Sequence, residues 1–284
     1  MYLKKILRKI YIPFIGHTTS YISFMTGFFN KSKKAFWFDD SNNFGDILTP
    51  FLFEFLGASK VTKIDTQYYS FENYLTVGSI LSKANSNTIV WGSGFISEES
   101  SFKYGNPKKI CAVRGPKTRN KLLKMNIECP EIYGDPALLL PLYYKPNKLK
   151  KKYKLGVIPH YIDKDNKYLE LFNREEILII DIQNKDIFKF IDEVNSCEKI
   201  ISSSLHGIIV GDAYGIPSLW IELSKKIMGN GFKFLDYFQS VGRKEESPIK
   251  INNSTTIDQL LESFYDYKIE IDLAILKDSC PFKK

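Results

Sequence analysis

Short apolar runs alternate with helical stretches twice along this chain, and that alternation decides the fold class. Residues 35–38, 88–91 and 110–113 read as strands, with helices predicted over 47–56 and 116–125. After a basic, polar stretch at 145–154 (KPNKLKKKYK), the pattern restarts. Strands are then expected over 155–158, 177–182, 199–202 and 217–221, with helices over 187–196, 205–214 and 232–241. Strands that each feed a helix pair in parallel, because the crossover returns the chain to the same end of the sheet. The expectation is α/β: two Rossmann-like domains facing each other across a cleft. A length of 284 residues suits two such domains. The boundaries drawn are an N-terminal arm at 1–35, a first domain at 36–147, and a second at 153–284 that includes a C-terminal tail.

Charge narrows the partners. A net +8 would suit nucleic acid if it were spread over one face. Seven of those eight units come from residues 1–35, which contain no acid, so the body is electrically balanced and no nucleic-acid partner is expected. Between the two basic clusters of the arm, residues 11–29 carry no formal charge. That is nearly the length of a membrane span, but Pro13, Gly16, His17 and several hydroxyl residues interrupt it, and unpaired polar groups are costly in hydrocarbon. The expected role is contact with a membrane surface, apolar side chains among the headgroups and lysines on anionic lipid. The competing reading is an ordinary solvated arm. No signal-peptide pattern precedes the body, so the expected location is cytoplasmic, peripheral at the inner face of the membrane. Cys111, Cys129, Cys197 and Cys280 are scattered without a CxxC pair, which indicates neither a zinc site nor a disulfide framework.

In open parallel sheets ligands bind beyond the carboxyl ends of the strands, so the polar residues there carry the functional argument. Asn43-Phe44-Gly45-Asp46 follows the first strand, where short polar residues and a glycine would turn the chain tightly and aim N–H groups at an anion. Helix capping is the plainer reading of the same residues. Gly92-Ser93-Gly94 allows close backbone approach to a ligand but lacks the third glycine of a dinucleotide fingerprint, and no P-loop is present. Arg114 stands between a strand and a helix start, a position suited to bidentate binding of phosphate or carboxylate. Ser202-Ser203-Ser204-Leu205-His206 brings hydroxyls, amides and an imidazole to the opening of a helix, and histidine is the side chain most readily tuned for proton exchange near neutrality. His160 follows the first strand of the second half in the same way. Asp163-Lys164-Asp165 resembles a metal-binding DxD only weakly.

Taken in order, Asn43-Phe-Gly-Asp46, Val-Arg114-Gly-Pro, Gly134-Asp135-Pro136, Ile158-Pro-His160, Ser203-Ser-Leu-His206 and Gly215-Ile-Pro217 resemble the polysaccharide pyruvyl transferase family over about residues 36–245, with the arm and the tail outside. The resemblance implies a GT-B-like fold and transfer of pyruvate from phosphoenolpyruvate to two hydroxyls of a hexose as a cyclic ketal, in exopolysaccharide or capsule biosynthesis. It needs no metal and no cofactor beyond that donor. The acceptor would be a saccharide, and a membrane-bound arm would meet it in lipid-linked form. Carried over, His206 would protonate the enol ether and Arg114 would grip the donor, with Asn43, Gly45, Ser93, His160, Ser203 and Ser204 around it. Asp46 and Glu222 are the candidates for taking hydroxyl protons. Many members have Arg where this chain has Ser204, so Lys225, Lys226, Lys233 or Arg243 would have to supply the missing cation. The alternatives are a GT-B-like glycosyltransferase using a nucleotide sugar and a non-catalytic scaffold of the polysaccharide machinery.

Overall fold

Among the described residues ten strands form two sheets, and every strand pair in both is parallel. The computed structural model describes residues 32–38, 43–57, 60–146, 150–244 and 247–282. The apolar, uncharged stretch at 11–29 lies outside the described residues. Among those described, no helix is long and apolar enough to cross a membrane.

The first half comprises β1 (Lys33–Ala35), α1 (Phe44–Phe55), β2 (Val61–Lys63), β3 (Asn73–Leu75), β4 (Thr88–Trp91), β5 (Lys109–Ala112) and α2 (Pro116–Lys124). The second comprises β6 (Tyr153–Ile158), β7 (Ile177–Ile179), α3 (Ile187–Asn195), β8 (Cys197–Ser202), α4 (Leu205–Ala213), β9 (Ser218–Glu222), α5 (Phe232–Ser240), β10 (Ile249–Lys250), α6 (Ile257–Glu262) and α7 (Leu273–Asp278). The sheets run β2-β1-β3-β4-β5 and β7-β6-β8-β9-β10. Renumbered within each half, both have the same order, that of a common doubly wound sheet. Such a sheet has one crevice, where successive connections leave on opposite faces. Here the crevices lie between β1 and β3 and between β6 and β8.

Two details differ from the sequence reading. Lys33 and Lys34, counted with the basic arm, are strand residues of β1. Residues 44–46, expected as a glycine turn, are already the first turn of α1, and the side chain of Asn43 makes no capping bond.

The halves are knitted together. Phe44 at the start of α1 stacks on Phe190 of α3 with ring centroids 4.2 Å apart, and the Phe44 N–H donates to the Ile182 carbonyl at 2.8 Å. The segment around α7 crosses back to the first sheet. The Trp91 indole N–H donates to the Leu276 carbonyl at 3.0 Å, and Phe282 stacks on Phe53 at 3.8 Å. Aromatic pairs of this kind add roughly 0.5–1.5 kcal/mol beyond the area they bury.

Candidate active site

The carboxyl ends of both sheets meet around a cavity of about 450 Å³. The first half contributes Asn43, Asp46, Ser79, Lys83 and Lys103; the second contributes His160, Ser204, His206 and Lys233. A wider depression of about 810 Å³ lies at the amino end of β5, around Lys109, Cys111 and Cys129. It is at the wrong end of the strands for a doubly wound sheet.

His206, on the first turn of α4, lines the cavity. It is 6% exposed, and its Nε2 stands 3.6 Å from Oδ2 of the fully buried Asp135, an ion-pair distance longer than a hydrogen bond. The other carboxylate oxygen accepts the Ala137 N–H at 2.9 Å, which fixes the group. Neither His206 Nε2 nor Asp135 Oδ2 has a hydrogen-bond partner among the described residues. A buried polar atom without a partner costs stability and calls for an explanation, of which a ligand or a proton-transfer role is one. Gly45 lies against the ring, and a Cβ built on it would overlap the imidazole. The glycine of Asn-Phe-Gly-Asp is therefore needed for the room it leaves His206 rather than for a backbone turn.

His160, 6% exposed, is a different kind of histidine. Its backbone N–H donates to Ser203 Oγ at 2.8 Å, and its Nδ1 accepts the Ile162 N–H at 3.3 Å. An accepting Nδ1 leaves the ring proton on Nε2, so the neutral ring is a donor. Burial, with smaller contributions from the charges of Lys233 and His206, pushes its pKa down to about 3. Lys233 on α5 is 9% exposed. Burial and the nearby Arg114 lower its pKa to about 8, with Asp46 opposing them.

The structure separates the remaining predicted residues. Arg114 was expected to grip an anion, but it is fully buried and does not line the cavity. Its Nε donates to Asp236 Oδ2 at 3.0 Å, its Nη1 to Ser79 Oγ at 2.6 Å and its Nη2 to the Phe95 carbonyl at 2.6 Å. It clamps α5 to the first half and holds Ser79 in the cavity wall. A Cβ on Gly115 would overlap the backbone of Asp236, so the Arg-Gly-Pro motif is built around this close approach. Arg243 is likewise away from the cavity. Its Nη1 donates to Asp212 Oδ1 and Tyr267 Oη at 2.9 Å, and its Nη2 to the Ser218 carbonyl at 2.9 Å. Of the cations proposed to replace the arginine absent at Ser204, Lys233 is the one in the cavity wall; Lys225 and Lys226 are not in it. Ser93 donates to the Gly78 carbonyl, Ser203 positions His160, and Glu222 faces a second cavity.

Three contributors carried no assignment in the sequence. The Gly134-Asp135-Pro136 motif by itself gives Asp135 no role, and its carboxylate spacing from His206 is a tertiary fact. Lys83 and Lys103 are single lysines among 40 basic residues, with no local pattern to mark them. The ammonium of Lys83 lies 5.7 Å from the rings of Phe38 and Tyr104, where aromatic faces favour a cation.

An imidazole beside a carboxylate, among lysines at the joined crevices of two parallel sheets, is an arrangement able to exchange protons and to hold anionic groups. Residues 2–225 match the polysaccharide pyruvyl transferase family, and the chain belongs to it. The match begins within the basic arm, which the sequence reading had left outside the resemblance. The chain is also 32% identical over 242 residues to the uncharacterized protein L143 of Acanthamoeba polyphaga mimivirus, covering 82% of this chain and 83% of that protein. It is 28% identical over 222 residues to the succinoglycan biosynthesis protein ExoV of Rhizobium meliloti, covering 74% of this chain and 65% of that one.

Proposed function

We propose that the protein transfers pyruvate from phosphoenolpyruvate to two hydroxyls of a hexose in a surface polysaccharide, forming a cyclic ketal. The observation that carries this reading is the His206–Asp135 pair, seated in the space left by Gly45 and opening on a lysine-lined cavity. Phosphoenolpyruvate carries a carboxylate and a phosphate, which Lys83, Lys103 and Lys233 would hold, with His160 Nε2–H and Ser204 as neutral donors. Protonated His206 delivers its proton to the methylene carbon, leaving an oxocarbenium-like centre at the carbon that bears the phosphate. The carboxylate of Asp135 stabilises the positive charge on the ring before transfer. One sugar hydroxyl attacks that centre and its proton passes to Asp46. The bond from carbon to the phosphate oxygen then breaks, and a second hydroxyl closes the ring. One hydroxyl proton makes good the proton given to carbon, and the other leaves with inorganic phosphate.

In this reading the cavity is the cleft of a GT-B-like pair of domains. The basic arm holds it at the inner membrane face, where a lipid-linked acceptor is presented. The Rhizobium relative is named for succinoglycan biosynthesis, which supports the same class of acceptor. The test is incubation of the purified protein with phosphoenolpyruvate and a panel of hexosides and lipid-linked saccharides. The expected result is a mass gain of one pyruvyl ketal with equimolar phosphate release. Turnover of a nucleotide sugar in place of phosphoenolpyruvate would overturn it in favour of a glycosyltransferase. Removal of residues 1–31 should abolish sedimentation with anionic vesicles, and unchanged sedimentation would remove the membrane role.

A further inference from the structure

A second cavity of about 410 Å³ opens alongside β9 and β10, and residues 227–234, which line both cavities, form the partition between it and the first. Along that partition the side chains alternate. Met228 and Lys233 line the first cavity, whereas Ile227, Asn230 and Phe234 line the second. The partition is fixed rather than loose. Gly229, Asn230 and Gly231 take φ of 96°, 46° and 79°, a left-handed run that glycine and asparagine tolerate best. A Cβ on Gly229 would overlap the Ile96 carbonyl of the first half, and one on Gly231 would press into the Trp220 ring.

The lining of the second cavity has a definite chemistry. Trp220 and Phe234 stack at 4.3 Å with planes 10° apart and form an apolar wall. Glu222 and Lys250 stand side by side in register on β9 and β10. The side chains of Glu222, Lys225 and Lys250 make no hydrogen bond or ion pair with any other described residue, although all three border the cavity. A carboxylate accepts hydroxyl protons and ammonium groups donate to hydroxyl oxygens, so the set suits a neutral polyol that needs both. An anion would meet Glu222. An apolar wall with a few convergent polar groups is the usual make-up of a small-molecule site.

We propose that this second cavity binds the sugar unit next to the hexose that receives the pyruvyl group. The proposal rests on the protein being a pyruvyl transferase with a saccharide acceptor. The terminal hexose then reaches past the partition toward His206, and the polymer leaves along β9 and β10. The same site gives Glu222 a role in holding the acceptor rather than in taking a hydroxyl proton.

The test uses the full chain and two acceptor series, p-nitrophenyl hexosides and disaccharides ending in the same hexoses. Glu222→Gln and Lys250→Met are compared with the unsubstituted protein. For each variant the ratio of the KM for disaccharide to that for monosaccharide should rise about tenfold, the loss of one or two hydrogen bonds to a charged group. An unchanged ratio overturns the proposal. Saturation-transfer NMR with the disaccharides separates the two failures. If phosphoenolpyruvate is not consumed but disaccharide signals appear and are lost in Glu222→Gln, the donor reading fails and the sugar site stands. If no disaccharide signal appears with the unsubstituted protein while phosphoenolpyruvate still raises its melting temperature, the sugar site fails and the donor reading stands.

Discussion

The two crevices of this protein have the same strand order and opposite duties. At the crevice between β1 and β3 the chain supplies space and fixed charge: Gly45 leaves room for an imidazole, Asp46 offers a carboxylate, and Lys83 and Lys103 add cations. The second half supplies groups whose protonation burial has shifted, with His160 after β6 pushed down to about 3 and Lys233 on α5 to about 8. His206 belongs to the second crevice, but its carboxylate partner, Asp135, and its seat, Gly45, belong to the first half. One topology used twice therefore gives a site that neither half contains alone.

The largest test of this division breaks the contact that holds the crevices together. Arg114→Met would leave Asp236 charged and buried without its partner, which should cost about 3–5 kcal/mol in denaturant unfolding. Arg114→Met combined with Asp236→Leu should recover part of that loss. A stable Arg114→Met that only weakens donor binding would return Arg114 to the role of a donor ligand.

Next in size, His206→Ala should lower turnover roughly 100-fold or more, the usual contribution of a positioned acid. Gly45→Ala sharpens this prediction, because its methyl displaces the ring without removing it. A loss of the same order with an unchanged far-ultraviolet spectrum is expected, and near-normal turnover in Gly45→Ala would break the link between the crevices.

The pH profile tests the second crevice by itself. With a folded pKa of about 3 and an ordinary value near 6.5, His160 stays neutral in the folded state while it would charge in the unfolded chain. Its contribution to stability is present above pH 6.5 and is lost as pH falls toward 3, amounting to about 2 kcal/mol at pH 5. His160→Asn keeps an acceptor for the Ile162 N–H and should remove that slope in unfolding free energy measured between pH 7 and 5. The smallest effect falls on Lys233, which loses its charge as pH rises through about 8. The KM for phosphoenolpyruvate should then climb about tenfold per pH unit above 8, and Lys233→Met should flatten that limb.

Much of the fold was legible because residues 89–91, 155–158 and 200–201 are short apolar runs within β4, β6 and β8, and β8 feeds directly into α4. β2 and β3 were not read, since three residues are too few to show a period, and Asn73 and Lys63 dilute them. Strand-end position singles out His206 and His160, and both line the cavity. The arginines misled, because a strand-end guanidinium suits an anion and a buried aspartate equally well. Asp236 and Asp212, which decide the matter, lie 122 and 31 residues away in sequence. Gly45 shows the limit most plainly: sequence shows that a side chain is missing but not that the His206 ring fills the gap.

The crossing of α7 back to the first sheet has a consequence for synthesis. Trp91 finds its indole partner at Leu276, 185 residues later. A ribosome adding about 5–20 residues per second needs on the order of 10–40 seconds to supply that stretch. For that interval the first sheet stands translated but unsealed, with Phe53 and Trp91 uncovered by Phe282. The first half is therefore made first and completed last, and the nascent chain depends on protection from aggregation during that interval.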